Sequence, residues 1–203
     1  MNIDKNLKLH DNKTNKMESK IKEKCESSKK FEEKCELLKQ SENKFNILFM
    51  ERAIELARKG SLVKKTGGPF GAVIVKDSKI IGEGYNTVLS KKDPTCHAEI
   101  VAIRKACKLQ GNIDLSGSVI YSSGQCCPMC YSACVWSNIG AIFYASTVED
   151  ATKYGSFRDE EMYIDLQNKD ASARKIPSFN ISQAKDSISD VWKQYHESQH
   201  DNY

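Results

Sequence analysis

Apolar positions are scattered through the first 44 residues and become periodic from Phe45 onward. Leu48, Phe49, Ala53, Ile54, Leu56 and Ala57 recur at the spacing of one helical face, which predicts a helix over residues 45–59 closed by Gly60. Beyond the Gly67-Gly68-Pro69 loop, residues 72–76 and 80–86 read as two strands, joined by Asp77-Ser78 as a hairpin turn. The two loop glycines call for unusual torsions or a close approach of the backbone to another group. Residues 97–108 return to helical spacing, with Ile100, Val101, Ile103, Ala106 and Cys107 making a broad apolar side. Gln110-Gly111-Asn112 breaks that helix, and Val119-Ile120-Tyr121 reads as a third strand that turns at Ser122-Ser123-Gly124. Pro128 is the expected first residue of a helix reaching about residue 137, and residues 141–145 are a fourth strand. Helix, hairpin, helix, strand, helix, strand predicts an α/β fold with one mixed sheet flanked by helices.

The ends differ from this middle. Residues 1–44 carry twelve Lys against nine Asp and Glu, with scattered Asn and Ser. Such a composition buries too little apolar surface to offset ordering entropy, so it predicts a largely disordered or solvated helical extension. A faint stripe of Ile21, Cys25, Phe31, Cys35 and Leu38 fits a solvated helix better than a coiled coil. Near the other end, Ile188, Val191, Trp192 and Tyr195 form an i, i+3, i+4, i+7 stripe, a last helix with a core or interface face. The expected organisation is an extension over 1–44, a domain over 45–168 and a tail over 169–203.

Composition narrows the classes. A formal net charge of +4 over 203 residues is too mild to argue for nucleic-acid binding without a local patch. Residues 1–30 lack the apolar stretch of a secretory signal, so eight Cys read as reduced thiols in a cytoplasmic protein. Nor does any run approach the ~18 apolar residues of a membrane span.

Chemistry concentrates in two stretches, Thr95-Cys96-His97-Ala98-Glu99 and Cys127-Pro128-Met129-Cys130. Together they offer an imidazole, two thiols and a carboxylate. A catalytic zinc takes three nitrogen or sulfur ligands and leaves a position for water, so His97, Cys127 and Cys130 are candidate ligands. Glu99 is the candidate proton carrier. At about 100° per residue it lies about 200° around a helix from His97, which suits a shuttle better than a same-face ligand. Asp93-Pro94-Thr95 supplies turn chemistry and a cap ahead of the first stretch. Alone, a buried His beside a Glu is an ordinary structural pair, and Cys-x-x-Cys opening a helix is also a dithiol redox motif. The other three His (His10, His196, His200) lie near the chain ends, so His97 is the only imidazole in the middle. Cys107 and Cys134 read as small core residues.

His-x-Glu followed by Cys-x-x-Cys is the signature of zinc nucleobase deaminases. Over residues 48–165 the chain resembles that cytidine and deoxycytidylate deaminase superfamily, and most closely its bacterial-type guanine deaminases. The resemblance is carried by residues 67–75, Asn86, residues 93–108 and Pro128-Met129-Cys130. It implies a three-layer α/β/α fold with a mixed five-stranded sheet and one zinc per chain. It also implies a small purine base as substrate, guanine going to xanthine and ammonia, and a homodimer. Adenosine in tRNA, cytosine, or a zinc-binding module without activity are the alternatives. Phe70 reads as core packing or as the wall of a base pocket, and Asn86 as a turn residue or a reader of the purine edge; the resemblance favours the second of each. Gly155, Phe157 and Asp159 resemble a Gly-Phe-Asp-Asp element. On that alignment Asp159 assists proton transfer to the leaving amine, against the plain reading of a surface acid. Tyr203 matches a terminal aromatic that closes the partner's pocket. One departure is local: the family has Cys-Glu-Pro before its first zinc cysteine, and this chain has Gly124-Gln125-Cys126. Lost Pro means a lost backbone restraint, and Cys126 brings a third thiol able to compete as ligand.

Overall fold

The computed structural model describes residues 46–198; the expectations for residues 1–44, Phe45 and Tyr203 lie outside them. Helix α1 (Ile47–Arg58) leads through a π-helical turn (Lys59–Val63) into strands β1 (Gly71–Lys76) and β2 (Lys79–Tyr85). After the one-turn helix α2 (Val88–Lys91) come α3 (Ala98–Gln110), β3 (Ser118–Gly124), α4 (Pro128–Trp136) and β4 (Ala141–Ser146). Helices α5 (Val148–Gly155), α6 (Asp159–Gln167) and α7 (Lys185–Glu197) complete the described chain.

The sheet is mixed, in the order β2-β1-β3-β4, with β3 and β4 parallel and the other pairs antiparallel. Four strands are present among the described residues, not the five that the resemblance implies. Beyond β4, Thr147 starts a helix through a reciprocal capping box with Asp150, so the chain leaves the sheet there. The hairpin turn is as expected: Asp77 and Ser78 both hold positive φ (48° and 58°), the type I′ geometry that matches strand twist.

Alternation along β1 builds two cores. Ala72 and Ile74 face α3 and α4, packing with Ala98, Ala102, Ala106, Ile120 and Cys134. Val73 and Val75 face α1, packing with Met50, Ala53, Leu56 and Tyr121. The layers are therefore helix, sheet, helix. Each fully buried side chain such as Ile74 contributes about 1.5–3 kcal/mol.

Local differences from the sequence pattern have physical causes. Gly60 does not close α1: a β-carbon there would lie 2.8 Å from the Tyr85 ring, so this glycine admits the ring while the helix widens into the π turn. Ser122, Ser123 and Gly124 belong to β3 rather than to a turn. Ser122 pairs with Ala72 of β1 and Tyr144 of β4, and a strand held on both sides keeps polar residues extended. The stripe Ile188, Val191, Trp192, Tyr195 is not core, since these side chains remain 41–65% exposed on α7.

Candidate active site

Both donor stretches enter the site at the starts of helices lying on one face of the sheet. His97 is the N-cap of α3 (φ −67°, ψ 158°) and Cys127 the N-cap of α4 (φ −69°, ψ 167°), with Pro128 at the first helical position. His97, not Thr95, is the cap residue, and Thr95 serves the turn ahead of it. The Thr95 N–H and hydroxyl donate to Asp93 Oδ1 at 2.8 and 2.7 Å, and the Cys96 thiol donates to Asp93 Oδ2 at 3.1 Å. Those bonds hold the Asp93 carboxyl down to about 2. Helix α3 comes close to the sheet because β2 is stripped of side chains beneath it. A β-carbon at Gly84 would lie 2.1 Å from the Ala98 carbonyl oxygen, one residue from His97.

His97 Nδ1 lies 3.6 Å from Cys127 Sγ and 3.5 Å from Cys130 Sγ. Ligand bonds of ~2.05 Å to nitrogen and ~2.3 Å to sulfur at a tetrahedral angle separate the two atoms by roughly 3.5 Å. The three donors lie within 4.8 Å of one another, and both sulfurs are buried. Two soft donors and an imidazole with this spacing fit zinc. Electrostatics agree. The Cys130 thiol and the His97 ring bond to Cys127 and lower it to about 4, making it the thiolate of the pair, while the bond to Cys127 and burial push Cys130 up. The same contact with Cys127 raises His97 against its own burial.

Glu99 turns inward despite its angular offset. His97 has extended, non-helical torsions, so its direction is not tied to the helical period that starts at Ala98. Only 3% of Glu99 is exposed; Ser122 Oγ donates to its Oε1 at 3.2 Å and the Cys130 thiol to its Oε2 at 3.5 Å. Burial raises the carboxyl above its ordinary range, the direction required of a group that must both take and give a proton.

These groups open on a cleft of about 370 Å³, within the ~300–1,000 Å³ of small-molecule sites. Asn86, Phe70 and Asp159 line it with His97, Glu99 and Cys127, so the structure brings together every expected site residue among those described. Gly67 is a close approach rather than a torsional need: a β-carbon there would fall 2.0 Å from Asn86 Oδ1. That oxygen accepts from Val88 N–H at 3.1 Å, which fixes the amide. Asp159 is raised chiefly by burial and then by the nearby Cys127. Cys126 does not join the donor cluster. Its thiol is hydrogen-bonded with Cys134 and buried, and both push it well above the ordinary thiol range.

Beyond Phe157, which the Gly-Phe-Asp-Asp resemblance already marks, several contributors carry no local sequence signal. Phe157 packs edge-on to Phe70, with centroids 4.9 Å apart, and Gln125, Leu89 and Met162 complete the walls. Ser122 reaches Glu99 across 23 positions, and Tyr163 donates its hydroxyl to the Cys126 carbonyl at 2.5 Å across 37.

Residues 43–146 match the cytidine and deoxycytidylate deaminase zinc-binding region. The chain is 46% identical over 134 residues to a guanine deaminase of Bacillus subtilis, covering 66% of this chain and 84% of that one. A crystal structure of guanine deaminase from the same organism superposes with a TM-score of 0.72 at 39% identity, over 78% of this chain and 99% of the other. A tRNA-specific adenosine deaminase of Buchnera aphidicola is 36% identical over 106 residues, 52% of this chain and 64% of its own length.

Proposed function

From a chain that belongs to the cytidine and deoxycytidylate deaminase family, we infer a zinc-dependent hydrolase that deaminates a purine base, guanine to xanthine and ammonia. The observation carrying this is the Cys2His donor set beside a buried Glu99, opening on the cleft that also holds Asn86 and Phe70. The 46% identity to a guanine deaminase selects the base.

His97, Cys127 and Cys130 would hold the zinc. The chemistry supplied by the bound metal is a water of lowered pKa, a nucleophile at neutral pH. Beside that site Glu99 would accept a proton from the attacking water and hand it to the ring nitrogen next to the amino-bearing carbon. The second proton, released by the hydroxyl now on that carbon, would pass through Glu99 to the amine, so the carbonyl forms as the C–N bond breaks and ammonia leaves. Ser122 holds Oε1 of Glu99, which leaves Oε2 toward the cysteines and the cleft. Asp159, raised by burial, lines the same cleft and would serve as a second proton carrier for the amine. Phe70 stacks on the base and Asn86 reads its edge.

In the same reading the protein is a cytoplasmic homodimer. Ile188, Val191 and Trp192 on α7 are 49–65% exposed, an apolar face suited to a second copy, whose pocket Tyr203 would close. Among the described residues no helix is long and apolar enough to cross a membrane.

The test is ammonia release by zinc-loaded protein over guanine, adenine, cytosine, guanosine and tRNA. Turnover of guanine well above the others is expected. Turnover of tRNA adenosine without guanine overturns the base assignment, and zinc-bound protein inert on the whole panel overturns the enzymatic reading.

A further inference from the structure

The departure at Gly124-Gln125-Cys126 removes a proline from the approach to the first cysteine ligand. Two hydrogen bonds hold the same stretch. Gln125 N–H donates to the Ser146 carbonyl of β4 at 2.8 Å, and the Tyr163 hydroxyl donates to the Cys126 carbonyl at 2.5 Å. The second acts on a particular peptide plane. The Cys126 carbonyl belongs to the bond that joins it to Cys127, so its direction sets the plane from which Cys127 departs. Cys127 is both a donor of the site and the N-cap of α4, and a rotation of that plane swings its sulfur away from His97.

Tyr163 comes from α6, outside both donor stretches. It lies one helical turn beyond Asp159, and Met162 lies between them. Spacings of three and four put Asp159, Met162 and Tyr163 on one side of the helix, and the first two line the cleft. Helix α6 has no fully buried residue, so Tyr163 is not there to fill a core. Burial pushes its hydroxyl up to about 12, so it remains a donor at neutral pH.

We propose that Tyr163 is a positioning residue for the metal. Its hydroxyl clamps the Cys126–Cys127 peptide in place of the missing proline, and thereby sets how tightly the chain holds zinc. The inference rests on the zinc-dependent reading of the site and extends it to a residue that touches neither metal nor substrate.

The experiment compares zinc transfer to a colorimetric chelator for the full chain, Tyr163→Phe, Cys126→Pro and the double variant. Tyr163→Phe keeps the ring and loses only the donor; outer partners of metal ligands are worth about 10–100-fold in affinity, and a loss of at least about tenfold is expected. Adding Cys126→Pro to Tyr163→Phe is expected to recover most of that loss, and Cys126→Pro alone to hold zinc like the parent. Tyr163→Phe that lowers Tm equally with and without zinc, yet retains the metal like the parent, marks a purely structural tyrosine and overturns the clamp. So does a double variant that recovers nothing, or Cys126→Pro alone that sheds zinc. A parent chain that takes up no zinc overturns the reading of the site itself.

Discussion

The sheet with α3 and α4 and the segment from residue 148 to 197 contribute to the same cleft from opposite physical conditions. In the first, Ala98, Ala102, Ala106 and Cys130 have no exposure at all, and glycines in β2 let the helix backbone approach the strand. In the second, α6 and α7 bury no residue fully, and large apolar side chains such as Ile164, Phe179 and Trp192 stay 62–73% exposed. Yet α6 lends the site Asp159, Met162 and Tyr163. The division follows from what each group must do. Metal donors need fixed positions, which dense packing supplies to their helices, whereas groups that meet the substrate or brace a donor through a single hydrogen bond can come from a lightly packed strap.

Substitution on each side sharpens the contrast. The largest effect is expected from Cys127→Ser, which removes a thiolate from the packed side: metal analysis should find the zinc gone, and ammonia release with it. Glu99→Gln should keep zinc and lose about 10²–10⁴-fold in kcat, the usual worth of a proton-transfer group; undiminished turnover would refute the role of Glu99. Asp159→Asn, the counterpart from the strap, should cost at most about 10²-fold, because Glu99 still serves the amine. A loss as large as that of Glu99→Gln would erase the proposed division of labour.

Stability effects are smaller and should fall on the packed side. Gly84→Ala drives a methyl group to within 2.1 Å of the Ala98 carbonyl and should destabilise the fold by about 1–3 kcal/mol in denaturant titration. The smallest expected effect concerns Arg52 and Glu83, which join α1 to β2 through two bonds of 2.7 and 2.9 Å. The bond from Arg52 lowers the Glu83 carboxyl below its ordinary 4.5. A depressed carboxyl contributes stability above its unfolded pKa and loses it as pH falls through the folded one. Both side chains are about one-third exposed, so the pair is worth up to about 1 kcal/mol. Comparing Glu83→Gln with the parent should therefore show a difference at pH 7 that disappears in acid. A constant difference would trace it to packing.

What could be read beforehand follows the range of each signal. His97, Glu99, Cys127 and Cys130 are rare residue types at fixed local spacing, and Asp77-Ser78 and Pro128 act within a turn or two, so all were visible in the chain. Ser122 on Glu99 and Tyr163 on the Cys126 carbonyl were not, because no local period records a contact across 23 or 37 positions. Polar Ser122 and Ser123 mimic a turn until β1 and β4 are known to flank them. Four strands in place of five reflect a family expectation rather than a pattern in these residues, since residues beyond β4 carry a helix cap at Thr147. Gly60 looked like a stop because the Tyr85 ring that it admits lies in a strand still to come.

The meeting of two helix starts around one metal is tested most directly by zinc-edge X-ray absorption on the purified protein, with metal content measured on the same sample. One zinc per chain is expected, with two sulfurs at about 2.3 Å and lighter nitrogen and oxygen donors at about 2.0–2.1 Å. A shell of three sulfurs would bring Cys126 into the site, and protein free of zinc with Cys127 joined to Cys130 would leave Glu99 without a reaction to serve.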